Sequence, residues 1–116
     1  MEKNILFMFM RAPFGSIYYT EGLRAVVGMM SGLDEHKVTC VYMGDGAYYA
    51  LKGSDKSESA GYIKTIADIS ESHYYVDRES LSQRGIAESD IDDMFEVISR
   101  DDVSKLISDN DVVYDF

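Results

Sequence analysis

Cysteine, proline and tryptophan are nearly missing from this chain: Cys40 and Pro13 are the sole members of the first two, and the third is absent. One cysteine forbids an internal disulfide and leaves no cysteine-based zinc site to be assembled from this chain alone. The two histidines, His36 and His73, are too few and too far apart to suggest a metal cluster. No metal and no cofactor is expected. Basic residues are scarce as well, with 11 Lys and Arg against 21 Asp and Glu, a formal charge of −10. That balance argues against a direct nucleic-acid partner, because phosphate backbones are bound largely through Lys and Arg. An acidic surface suits solubility or a basic partner. Long hydrophobic runs are also lacking. The apolar run near the start, Ile5 to Met10, is bounded by Lys3 and Arg11 and is too short for a signal-peptide core or a membrane span. The expected location is cytoplasmic, with no membrane partner.

What is present fits a folded domain. At 116 residues, with 46% hydrophobic and 28% charged residues, the chain is the size and composition of one ordinary globular domain, taken as residues 1–116. Asn4 to Met10 is a continuous apolar stretch of the kind expected for a strand covered on both faces. Arg11 to Ser16 reads as a loop, since Pro13 lacks an amide hydrogen and disfavours helix at Ala12. Thr20 is placed to cap a helix with Leu23, Val26, Val27 and Met30 on its apolar face, ending at Gly32.

Lys37 to Met43, rich in β-branched and aromatic residues, reads as a second strand that stops at Gly44. A short helix over Ala47 to Leu51 and a polar loop over Gly53 to Ser59 follow. Tyr62, Ile63, Ile66 and Ile69 recur at helical spacing. His73 to Val76 is a third strand, Glu79 to Arg84 a brief helix closed by Gly85, and Met94 to Ile98 a fourth strand. Ser99 can cap a last helix that packs Val103, Leu106 and Ile107 inward, and Asp111 to Tyr114 forms a fifth strand. Strands alternating with helices imply an α/β fold with a mainly parallel five-stranded sheet covered on both faces, though not its strand order. Ligands of such sheets collect at the carboxyl ends of the strands.

The candidate site residues lie in those strand-end loops. Pro13, Phe14, Gly15 and Ser16 join a strand to a helix, where backbone amides can hold an anion, but they match neither the P-loop nor the dinucleotide fingerprint. Asp45, beside Gly46, could orient a ligand or simply form an acidic turn. Among three tyrosine doublets, Tyr18-Tyr19 and Tyr48-Tyr49 fall in strand-end loops and Tyr74-Tyr75 in a strand. Tyrosines there serve either as contacts for a partner or as rings capping the core. Cys40 lies mid-strand, where desolvation raises a thiol pKa and makes it inert. The acidic run at Glu88, Asp90, Asp92 and Asp93 reads as a solvated surface.

The order of elements, Ala12-Pro13-Phe14-Gly15 after the first strand, Glu21-Gly22-Leu23 at the helix start and Tyr42-Met43-Gly44-Asp45-Gly46-Ala47 after the second strand resemble the DsrE/DsrF-like family. Ser80 to Gly85 and the run Asn110 to Phe116 agree, and within the family the likeness is nearest to the DsrF and TusC subunit type. The resemblance implies a three-layer α/β/α sandwich and homo- or hetero-oligomers that pass persulfide sulfur between proteins. It also implies a carrier cysteine one short helix before the Arg84-Gly85 step. Asp77 stands there instead. A carboxylate can neither attack nor hold sulfane sulfur. The resemblance therefore implies a structural or docking subunit, without independent catalytic activity, beside a cysteine-bearing DsrE-like partner. Two other readings stay open: a homo-oligomeric small-molecule or nucleotide-binding module using Pro13 to Ser16 and Asp45 to Tyr48, and a redox protein acting through Cys40.

Overall fold

A computed structural model describes residues 3–12, 18–31, 36–54, 56, 59–69 and 73–116. Five strands, β1 (Asn4–Phe9), β2 (Lys37–Tyr42), β3 (His73–Asp77), β4 (Glu96–Ile98) and β5 (Val112–Asp115), form one sheet in the order β4-β3-β2-β1-β5. Every pairing is parallel. The connecting helices are α1 (Tyr18–Ser31), α2 (Ala60–Ile69), α3 (Arg78–Gln83) and α4 (Arg100–Asp109), with 3₁₀ turns at Gly44–Ala50 and Glu88–Asp90.

Alternation along β1 divides the core. Ile5, Phe7 and Phe9 join Leu23, Val26 and Met30 of α1, Leu81 of α3 and, at its margin, Tyr62 and Ile63 of α2. Leu6 and Met8 face the other way, toward Val103 and Leu106 of α4. Three helices thus cover one face and α4 alone the other, which is the expected α/β/α arrangement. The chain steps from β1 to β4 in one direction and then crosses the whole sheet through α4 to place β5 beside β1. Right-handed crossovers require this change of face when the direction reverses.

Several expected boundaries move. Thr20 does not cap α1, which already begins at Tyr18, while Gly32 lies outside the described residues. The short helix after β2 is a 3₁₀ turn that starts three residues early at Gly44, where a φ of +56° suits glycine. Ile107 is exposed rather than inward-facing. Ser99 does cap α4, accepting from the Asp102 amide at 3.1 Å. Gly85 follows α3 with φ +66°. No helix among the described residues is long and apolar enough to cross a membrane.

Candidate functional site

Between β3 and β4 the chain leaves adjacent strands toward opposite faces, through α3 and α4 respectively. Such a switch point opens a crevice at the carboxyl edge of a parallel sheet. Asp77 closes β3 and Arg100 opens α4, so strand order brings both to this crevice.

Asp77 is fully buried and caps α3. Its Oδ2 accepts from the Ser80 amide at 3.0 Å and the Ser80 hydroxyl at 2.6 Å. Arg100 donates to the same oxygen from Nη2 at 2.6 Å and Nε at 3.1 Å, with a longer Nε contact of 3.2 Å to Oδ1. Burial pulls the carboxyl pKa up, but hydrogen bonds from Arg100 and Ser80 together with the Arg100 charge outweigh it and hold the group below the ordinary carboxylate range. Arg100 also approaches Glu79 at 3.6 Å while half its side chain meets solvent.

Ser80 relays this cluster to the next loop, its Oγ accepting from the Gly44 amide at 2.9 Å. Arg84 then ties α3 to the same turn, donating to Asp45 Oδ1 from Nε at 3.2 Å and Nη2 at 3.0 Å and lying 5.9 Å from the centre of the Tyr48 ring. Asp45, Tyr48 and Asp77 are therefore united by one chain of contacts through Arg84 and Ser80. Gly46 has a structural duty instead, for a Cβ there would meet the Phe9 carbonyl oxygen at 2.0 Å.

Tyrosines of the same doublets separate. Tyr48 is 39% exposed, whereas Tyr19 and Tyr49 are core residues with 5% and 1% exposure, so their rings offer no contact surface. Tyr19 and Tyr42 share a hydroxyl–hydroxyl hydrogen bond of 2.8 Å, and Tyr49 reaches Ser59 Oγ at 2.5 Å. The Tyr42 and Tyr49 rings stack, and Phe9 and Phe95 add edge contacts. Pro13, Phe14, Gly15 and Ser16 lie outside the described residues, as does the Tyr18 side chain.

Cys40 is fully buried and burial pushes its pKa up to about 12. It sits opposite Tyr74 of β3. Asp77 is three residues further along that strand, roughly 10 Å away at the usual rise per residue. The crevice therefore offers charge and hydrogen bonds but no reachable thiolate.

Sequence reasoning had Asp77 but not Arg100. A usable signal was present: Asp77 three residues before Ser80, and Ser99 three residues before Asp102, are paired N-cap patterns that place Arg100 in the first turn of a helix.

Known proteins share this fold. The structure of the ychN protein from E. coli superposes with a TM-score of 0.78 over 100% of both chains at 18% identity. A protein of unknown function from Methanobacterium thermoautotrophicum superposes at 0.77 over 99% of this chain and 100% of its own, at 12% identity. These establish likeness of fold. The intracellular sulfur oxidation protein DsrF of Allochromatium vinosum is 29% identical over 134 residues, spanning 98% of this chain and 96% of its own. Protein TusC of Buchnera aphidicola is 36% identical over 94 residues, spanning 74% of each. The DsrE/DsrF-like family model matches residues 3–116, and the chain belongs to that family.

Proposed function

We propose that this chain is a non-carrier subunit of an intracellular sulfur-relay assembly, contributing structure and docking rather than covalent sulfur chemistry. The observation that carries this reading is the state of Asp77. At the strand end where the resemblance implies a sulfur-carrying cysteine, the chain has a buried carboxylate engaged by Arg100 and Ser80. Persulfide transfer needs a thiolate that another protein can reach. The one thiol, Cys40, is enclosed in the core and protonated at neutral pH. Likeness to DsrF and TusC, named above, supports a place in sulfur metabolism.

Assembly with an unlike, cysteine-bearing subunit follows from this reading. Tyr48, exposed beside Arg84 and Asp45, is the best placed to meet it of the doublet tyrosines whose side chains are described. The small-molecule alternative draws no support from Asp45, whose carboxylate already serves Arg84.

Copurification from the native cell with mass spectrometry of the bound chains tests the proposal. A DsrE-like protein carrying the relay cysteine should come down with this one. Self-association with a bound small molecule and no such protein would refute it, as would a persulfide trapped on Cys40 of the folded chain.

A further inference from the structure

The opposite edge of the sheet carries a surface that the β3–β4 crevice does not use. Of the large apolar side chains exposed among the described residues, Val113 and Tyr114 stand on β5 and Ile107 on the helix leading into it. Met10 joins them, its amide donating to the Phe116 carbonyl at 2.8 Å. Only Tyr48 lies elsewhere. Among the described residues β5 pairs with β1 on one side alone, which leaves its other row of N–H and C=O groups without a strand partner there. Beside it, Phe7, Ala25, Met29, Tyr114 and Phe116 line an apolar groove of about 170 Å³. That is below the about 300–1,000 Å³ of ordinary small-molecule sites. It is the size for one large side chain.

Charge identifies the occupant. Asp115 follows the exposed pair on β5; Asp111, whose Oδ2 accepts from the Asn4 amide at 2.8 Å, precedes it with Asp109 just before, and among the described residues no lysine or arginine forms an ion pair with any of the three. A second copy of this chain is a poor fit. Antiparallel self-pairing centred on Val113 would set Asp111 directly opposite Asp115 twice, and like charges facing across strands destabilise. The formal charge of −10 on each copy adds repulsion.

We infer that β5 is a docking edge for an extended segment of an unlike, basic chain. That segment adds as a further strand, sets Lys or Arg against the aspartates and seats one apolar side chain in the Tyr114 groove. This names the chemistry of the partner and rests on the docking-subunit reading above.

A short peptide alternating lysine and leucine is the first probe, measured against the whole chain by calorimetry at physiological salt. Binding should weaken at least tenfold when Asp115→Lys is introduced, and likewise with Tyr114→Ala. It should vanish when alternate peptide amides are N-methylated, which removes strand pairing but leaves the charge. Asp90→Lys, exposed in the turn that precedes β4, the edge strand opposite β5, should change it little. Equal loss from Asp90→Lys and Asp115→Lys, or undiminished binding of the N-methylated peptide, would overturn the inference by reducing it to general acidity. In the native assembly, Tyr114→Lys with Asp115→Lys should release the unlike subunit while circular dichroism shows the fold intact. An assembly that survives this pair of changes overturns the docking edge and leaves the non-carrier reading standing. Absence of any cysteine-bearing partner from the wild type removes that reading instead.

Discussion

Two buried polar clusters sit at the carboxyl ends of neighbouring strands and are built on opposite terms. The Asp77 cluster is ionic: one carboxylate oxygen takes four hydrogen bonds from Ser80 and Arg100. The tyrosine cluster is neutral. Tyr19 and Tyr42 share a hydroxyl hydrogen bond between rings packed edge to face, and desolvation first, then the neighbouring tyrosine hydroxyls, push the Tyr19 pKa far up. A neutral cluster gains from ring packing whether or not each hydroxyl is matched. An ionic one gains little over an apolar equivalent, yet fails badly when half of it is removed. This chain thus keeps a demanding, charged arrangement at the switch point, where an inert one would serve stability equally well.

The difference can be tested by removing one member of each cluster. Arg100→Ala should be the most damaging, costing about 3 kcal/mol by urea denaturation, because it strands a buried carboxylate; partial exposure of Arg100 keeps the loss at the low end for such pairs. A loss below about 1 kcal/mol would put the Asp77 charge in contact with solvent and erase the contrast. Gly46→Ala should follow closely at about 2–3 kcal/mol, since the backbone of β1 must yield to the new Cβ. Tyr42→Phe should cost about 1 kcal/mol, because the Tyr19 hydroxyl loses its Tyr42 partner but keeps Tyr49.

Acidity sharpens the same contrast with smaller effects. The folded Asp77 pKa is lowered, so its contribution is complete above the unfolded value near ~4 and drains away as pH falls through the lower folded value. The gap in urea midpoint between wild type and Asp77→Asn should therefore be full at neutral pH and close in acid. The folded Tyr19 pKa is raised, so its contribution is complete below about 10 and is lost as pH rises beyond that. The gap to Tyr19→Phe should stay flat from acid to neutral pH and shrink only in alkali. Last, Cys40 should react with alkylating reagent no faster than the chain unfolds; rapid modification of the folded protein would contradict its enclosure.

Periodicity found what depends on neighbours in sequence. The apolar run from Ile5, the helical spacing of Leu23, Val26 and Met30, the Ser99 cap and the Gly85 turn each report a local rule, and each is realised. Asp77 was reached through family likeness, and its burial through the structure. Its bond to Arg100 was not legible, because the two are 23 residues apart and meet only because β4 lies beside β3. The tyrosine doublets, read as either partner contacts or core caps, divide between the two for a related reason. Adjacent residues point to different sides, so Tyr49 enters the core while Tyr48 faces out. Strand edges show the same limit: the exposed side of β5 follows from its being last in the sheet, which no local pattern encodes.

The placement of β5 also has a consequence for how the chain comes together. Asp111 accepts from the Asn4 amide across 107 residues of sequence, so the first strand waits for Val112 to Asp115 before its second edge is covered. Local pairings of β1, β2 and β3 can form earlier, but closure across so long a loop is slow. During synthesis, one edge of this apolar strand stays open until Val112 to Asp115 have emerged. That interval is when misassembly is most exposed, and changes that delay β5 should lower yield before they lower equilibrium stability.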